Sequence, residues 1–173
     1  MTNGVSGFTI PQHNFTVSFE VTGVTWMDHE YGLFGAEGHR PKWILQDMQL
    51  SNGVHLSNFT LEEPVLNKKT MSLVTVQRED GTTYFVESSV TPTGDTWTSP
   101  ESGVTYFEEI EVEIPGFEAT LTVKSLLDSQ EFPLPGSSIY EGVATVEGTF
   151  EGEGVSGTAW SEQTLNEPPG AAD

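Results

Sequence analysis

The segment Phe15-Thr16-Val17-Ser18-Phe19-Glu20-Val21 alternates without a break between apolar and polar residues. Period two is the signature of a strand, because successive side chains leave opposite faces of a pleated backbone. Phe15, Val17, Phe19 and Val21 are expected to face a core, with Thr16, Ser18 and Glu20 in water. The seven residues before Phe8, Met1 to Gly7, carry no such pattern and read as a frayed lead-in. Downstream the same period recurs. Tyr106 to Ile114 sets Tyr106, Glu108, Ile110, Val112 and Ile114 against Phe107, Glu109, Glu111 and Glu113, a solvated glutamate face. Turn signals return about every 8 to 12 residues, the spacing of short antiparallel strands.

Read in order, the chain offers a strand at Lys42–Leu50, a Ser51-Asn52-Gly53 turn and a return strand at 54–61. A second hairpin spans Met71–Arg78 and Thr82–Val90 around Glu79-Asp80-Gly81. Pro92–Gly103 reads as a long loop carrying Trp97, Phe117–Ser125 as a strand, and Gln130–Gly136 as a proline-broken connection. Ile139–Phe150 and Gly154–Thr164 close the series across Glu151-Gly152-Glu153. No segment keeps a helical period for more than two turns. About ten strands in hairpin succession predict an all-β, antiparallel up-and-down barrel, with a sandwich as the alternative. Residues 1–165 are expected to form one domain and 166–173 (NEPPGAAD) a disordered tail.

Composition narrows the function. The 173 residues suffice for a core without staples. With no cysteine, disulfides, thiolate metal sites and thiol nucleophiles are excluded. Against 26 Asp and Glu stand 6 Lys and Arg, a formal charge of −20 that repels phosphate backbones and anionic membranes. No signal peptide and no membrane-spanning apolar run is evident, so the default expectation is a cytoplasmic protein. There is no phosphate-binding glycine loop, no G-x-S-x-G elbow and no H-E-x-x-H. His13, His29, His39 and His55 are scattered, which leaves no metal site to name.

The chemistry concentrates in Gly23-Val24-Thr25-Trp26-Met27-Asp28-His29-Glu30-Tyr31-Gly32. If extended, it points Trp26, Asp28 and Glu30 one way and Met27 and His29 the other. An acid buried against an indole is held protonated and can act as a general acid, while the aromatic face stabilises a developing cation. The structural alternative is that Trp26 plugs a barrel end. Gly32–Pro41 follows as a glycine-rich loop, a lid or simply a connection. Lys42–Leu50 is polar on both faces: Trp43, Leu45, Asp47 and Gln49 on one, Ile44, Gln46, Met48 and Leu50 on the other. A barrel strand of this kind suggests a lumen that binds something with polar handles. Trp43, Tyr84, Trp97, Tyr106, Tyr140 and Trp160 are candidate pocket walls, with Gln46, Asp47, Tyr84 and Tyr106 as candidate hydrogen-bond donors.

The motif VTGVTWMDHEYG, the strand KWILQDMQLSNG, the segment TPTGDTWTSPESGVTY and the ending IYEGVATVEGTFEGEGVSGTAWSEQT together resemble the C-terminal lobe of the carotenoid 1,2-hydratase (hydroxyneurosporene synthase) superfamily. That superfamily includes fungal isoflavonoid hydratases and Diels–Alderases. The likeness runs from about Phe8 to Thr164. It implies a lipocalin-like barrel, no cofactor, and an elongated or polycyclic apolar substrate. Its aromatic-x-Asp proton donor falls on Trp26-Met27-Asp28, making Asp28 the acid, Trp26 its wall and Glu30 a neighbour on the same face. The upstream His-x-Trp of the hydratases has no match here, and the resemblance does not extend to the first lobe of the family. A lone lobe would use its own lumen or pair with a second copy. The expectation is therefore a cofactor-free cyclase or isomerase of terpenoid or polyketide secondary metabolism. A hydratase acting on an isoprenoid-type alkene, and a non-catalytic carrier of an apolar metabolite, are the alternatives.

Overall fold

The computed structural model describes residues 2–10, 15–23, 27, 42–62, 71–134 and 137–165. The chain falls into two compact units, Met1–Leu33 and Phe34–Asp173. The first contains β1 (Thr2–Ile10) and β2 (Phe15–Gly23), antiparallel from Thr2 opposite Gly23 to Ile10 opposite Phe15. The alternating segment is thus a strand, and Ser18 and Glu20 are exposed as the pattern requires. The expected lead-in is a strand as well. Asn3, Gly4, Ser6 and Gly7 give it no apolar alternation, yet its backbone groups pair along β2, and that pairing is not written in side chains.

The second unit is all-β, a nearly closed antiparallel barrel built on one ten-stranded sheet. Its strands are β3 (Lys42–Leu50), β4 (His55–Glu62), β5 (Met71–Gln77), β6 (Thr83–Glu87), β7 (Ser89–Pro92), β10 (Glu109–Ile114), β11 (Ala119–Ser125), β12 (Glu131–Leu134), β13 (Ser137–Phe150) and β14 (Glu153–Thr164). A separate short hairpin, β8 (Thr96–Thr98) and β9 (Thr105–Phe107), lies between β7 and β10 in sequence. Most strands pair with their neighbours in sequence, β11 skips β12 to pair with β13, and β14 returns to pair with β3. The last seam is made by one stretch of chain. β6 pairs with β5, the Ser88 N–H donates to the Ser72 carbonyl, and β7 then pairs with β10. At Ser88 the chain so passes from one end strand of the sheet to the other, which brings the barrel close to closure and shortens its exposed edges.

Three elements depart from the sequence reading. The loop over Pro92–Gly103 contains β8, which pairs Trp97 with Tyr106. The run Tyr106–Ile114 is interrupted at Glu108, whose N–H bonds to the Asp95 carbonyl, although its inward phase of Tyr106, Ile110, Val112 and Ile114 persists. The Gln130–Gly136 connection holds β12, with Pro133 opposite Ser138. Proline is tolerated there because β12 lies off the main path of the sheet and pairs only with β13.

Four tight reversals gather at one end of the barrel. They are the β3–β4 turn with Gly53 at φ 82°, the β5–β6 turn with Gly81 at φ 85°, the 3-10 turn Pro115–Phe117, and Glu151-Gly152 between β13 and β14. This end is filled. Phe117 stacks on Phe150 at 5.3 Å, Tyr84 meets the Phe117 edge-on at 5.4 Å, and the Arg78 guanidinium lies over both the Tyr84 and Phe117 rings. Arg78 is paired with Glu151 across the turn. Above this plug, Met48, Leu56, Val76, Val112, Ile114 and Leu121 pack the lumen from five staves. Among the described residues no helix is long and apolar enough to cross a membrane.

Candidate functional site at the barrel mouth

At the opposite end the inward residues change character. On β3 the inward row runs Leu50, Met48, Gln46, Ile44; on β4 it runs Leu56, Asn58, Thr60. Cross-strand register places Gln46 beside Asn58, and Asn58 beside Val74 of β5. Asn58 Nδ2 donates to Gln46 Oε1 at 2.8 Å and reaches Thr60 Oγ1 at 3.4 Å, while Asn58 Oδ1 accepts from Ser88 Oγ at 2.5 Å. Ser72 Oγ lies 2.7 Å from both Thr60 Oγ1 and Ser88 Oγ. A polar network therefore spans β3, β4, β5 and Ser88 where the hydrophobic core stops. Gln46 is wholly buried, and its Nε2 has no partner among the described residues; neither has Ser161 Oγ, opposite it on β14.

Over this network lies a cavity of about 330 Å³ lined by Lys42, Trp43, Ile44, Thr60, Val90, Pro92, Thr105, Phe107 and Leu165. Ile44, Val90, Pro92, Phe107 and Leu165 give its lining hydrocarbon, and Lys42, Trp43, Thr60 and Thr105 give it polar groups, a mix that suits an apolar ligand with polar handles. One wall is fixed by a two-point clamp. Gln163, fully buried on β14, accepts from the Phe107 N–H at 2.9 Å and donates to the Phe107 carbonyl at 2.7 Å.

A second chamber of about 760 Å³ shares Thr105 and Leu165 with the first and is otherwise lined by the 101–104 turn, Glu131, Pro133, Leu134, Ser137 and Ser138. Glu131 accepts from Ser99 Oγ at 2.6 Å, from Tyr106 Oη at 2.8 Å and from Ser102 Oγ. Burial pushes the Glu131 carboxyl up, but hydrogen bonds from Ser102, Ser99, Tyr106 and Ser138 outweigh it and hold the group below the ordinary glutamate value. Burial pushes the Tyr106 phenol up to about 12, opposed by the Ser138 hydrogen bond and reinforced by Glu131, so Tyr106 stays a neutral donor. Its ring lies 6.1 Å from Trp97, nearly parallel to it, and 5.1 Å from the tilted ring of Tyr140.

The candidate residues named from sequence thus disperse. Trp43 lines the mouth cavity and donates its indole N–H to Glu162 at 2.5 Å; Gln46 lies in the network below; Trp97 and Tyr106 stack beside the second chamber. Asp47 and Trp160 are paired in register on the opposite face of the sheet from Gln46, where Asp47 is buried and Trp160 Nε1 donates to Glu141 at 2.7 Å. Tyr84 belongs to the plug at the other end. Trp26, Asp28 and Glu30, and the Gly32–Pro41 loop, lie outside the described residues. Sequence reading passed over Asn58, Thr60, Ser72, Ser88, Glu131 and Gln163. The available signal was polar residues at inward phase on adjacent strands, seen on Lys42–Leu50 but not followed into VHLSNFTL. Among the described residues no group of three or more His, Asp or Glu is placed to hold a metal ion.

Fold and site together define a class: an antiparallel barrel sealed at one end and opening at the other into a cavity of mixed apolar and polar lining. The chain belongs to the AttH-like family, whose model matches residues 9–162. No curated protein sequence matches it. In three dimensions it is similar to kievitone hydratase from Nectria haematococca, with a TM-score of 0.66 and 19% identity over 87% of this chain and 43% of that one. It is also similar to a protein of Nitrosomonas europaea described as AttH, with a TM-score of 0.58 and 22% identity over 71% of this chain and 38% of that one. The chain spans less than half the length of both proteins.

Proposed function

We propose that this protein is a cofactor-free enzyme that takes an apolar secondary metabolite into the barrel mouth and closes or rearranges its ring system. The observation that carries the reading is the mouth cavity, lined by both hydrocarbon and polar side chains, next to a chamber holding the Glu131 carboxylate. Such a pocket can fold a reactive chain toward its transition geometry, and correct placement alone supplies several kcal/mol, up to about 7–11, of a barrier. Asp28, placed by family resemblance on an aromatic-x-Asp motif, is the proposed acid, with Trp26 as its wall and Glu30 beside it. A second reading, hydration of an alkene, is favoured by the structural likeness to kievitone hydratase.

One assay separates these from a carrier. The protein is incubated in oxygen-18 water with geranylgeraniol and, separately, with kievitone, and the products are weighed by mass spectrometry. An isomer of unchanged mass supports ring closure or rearrangement, and gain of one labelled water supports hydration. Tight binding of these and other apolar alkenes with no conversion of any would sink the enzymatic reading and leave a carrier. Asp28→Asn is expected to lower acid-catalysed turnover by roughly a hundredfold or more with binding retained.

A further inference from the structure

The hydroxyl network under the mouth cavity has a direction, and the direction selects the ligand. Asn58 Oδ1 carries no hydrogen, so at the 2.5 Å contact the Ser88 hydroxyl must donate. A hydroxyl has one hydrogen, and that of Ser88 is already committed. At the 2.7 Å contact between Ser72 and Ser88, Ser72 is therefore the donor. The remaining route for the Ser72 hydrogen, to Asn58 Oδ1, is 3.4 Å long and loses to the shorter contact. The same reasoning makes Thr60 the donor to Ser72, again at 2.7 Å. Every hydrogen in the chain Thr60, Ser72, Ser88 then points away from the cavity. Thr60 lines the cavity, and its Oγ1 has one lone pair facing Asn58 Nδ2, which leaves the other for a ligand to use.

We infer that the mouth cavity receives a hydroxyl-bearing apolar ligand, a phenol or a ring alcohol, whose O–H donates to Thr60 Oγ1. A ligand offering only a carbonyl or an ether oxygen would meet a lone pair. Thr60 is 7% exposed, so that repulsion would be felt with little water to relieve it. Ile44, Val90, Pro92, Phe107 and Leu165 touch hydrocarbon equally well whatever oxygen the ligand carries. The Trp43 indole N–H is committed to Glu162, and the Thr105 hydroxyl lies 2.9 Å from that of Thr98. Lys42 is the remaining polar group of the lining, and Thr60→Val and Thr60→Ser isolate the Thr60 contribution from it. Selectivity by this means is asymmetric, since leaving a buried polar group without its partner costs more than forming one extra hydrogen bond contributes. The inference rests on the mouth cavity being the ligand pocket of the proposed function.

The test uses the full chain and three bicyclic probes, 2-naphthol, 2-methoxynaphthalene and naphthalene, titrated calorimetrically. Val90→Trp, which fills the cavity, is the control for location. In the wild type 2-naphthol should bind roughly three- to tenfold more tightly than 2-methoxynaphthalene, the worth of one net hydrogen bond. Thr60→Val should erase that ratio and Thr60→Ser, which keeps the hydroxyl, should restore it. Ser72→Ala frees the Thr60 hydrogen to turn toward the cavity, so it should bring the ether within about twofold of the phenol. Equal binding of the probes in the wild type, or tighter binding of the ether, with both lost in Val90→Trp, overturns the direction of the network and leaves the cavity as the pocket. Binding indifferent to Val90→Trp, or none at all, overturns both.

Discussion

The two ends of the barrel are built from the same strands and do opposite things. At the sealed end the connections are short: Gly53, Gly81 and Gly152 take left-handed conformations so that β3–β4, β5–β6 and β13–β14 reverse at once. Short turns bring strand ends close, and Phe117 and Phe150 fill what space remains. At the mouth the connections are longer, as between β7 and β10 or β11 and β13, and inward positions carry Gln46, Asn58, Thr60, Ser72 and Ser161 in place of hydrocarbon. Apolar packing holds one end and hydrogen bonding shapes the other. Stability and selectivity are therefore assigned to different ends, and substitutions can show whether they separate.

The largest expected effect is at the sealed end. Phe150→Ala removes a fully buried ring and one half of the Phe117 stack, and should cost about 3–5 kcal/mol by urea titration. Val90→Ala, on the half-buried mouth wall, should cost about 1 kcal/mol. Equal losses would erase the distinction between the ends.

Gln163→Leu comes next. It leaves the partly buried Phe107 N–H and carbonyl without their clamp, at about 1–3 kcal/mol for the two bonds, and should also weaken naphthalene binding because Phe107 forms a cavity wall. Loss of stability with unchanged binding would show that the clamp serves the fold alone.

How far the sequence foretold this arrangement depends on the kind of signal. Strict alternation made FTVSFEV and Tyr106–Ile114 legible as strands, and Asn52-Gly53 and Asp80-Gly81 made their turns legible, because those signals are local. The strand at Thr2–Ile10 and the β8–β9 hairpin were not legible, since each exists through pairing of backbone groups that small residues leave unmarked. The site was legible only as polar residues at inward phase on β3. Glu131 meets Ser99, Ser102 and Tyr106 across 25 to 32 residues of chain, and Gln163 meets Phe107 across 56. Such meetings are set by strand order and carry no local mark. Trp160 illustrates the converse. It looked like a pocket wall, yet it directs its indole N–H to Glu141 on the sheet's other face, whereas Trp43 does line the mouth cavity.

The second chamber gives a smaller, pH-dependent effect. Glu131 is held below the ordinary glutamate value, about 4.3, so its contribution to stability is present above that value and is lost as pH falls through the native one. In an acid titration of stability the wild type should therefore fall more steeply below that value than Glu131→Gln. Glu108 is shifted the other way, by burial first and then by its hydrogen bond with Asp128. Its folded value lies above the unfolded one, so stability drops as pH rises between them, and Glu108→Gln should flatten that limb. Parallel acid limbs for wild type and Glu131→Gln would mean that its hydroxyl bonds do not favour the ionised form.

The smallest effect should come from the ion pair over the plug. Arg78 and Glu151 are partly exposed, so their attraction is weak and screened by salt, although the guanidinium also covers the Tyr84 and Phe117 rings. Glu151→Gln removes the charge partner and keeps the cover, and its small loss of stability should vanish in molar sodium chloride. Arg78→Met removes the charge and keeps an apolar stem, and should retain part of its loss at high salt, because cation–ring contact and packing are screened less than an open ion pair. In a chain of net charge −20 the wild type itself should gain stability from salt as carboxylate repulsion is screened. Each variant is therefore compared with the wild type at the same ionic strength. If both variants lose equally at every salt concentration, the lid over the sealed end is held by its hydrogen-bond geometry, and charge plays no separate part.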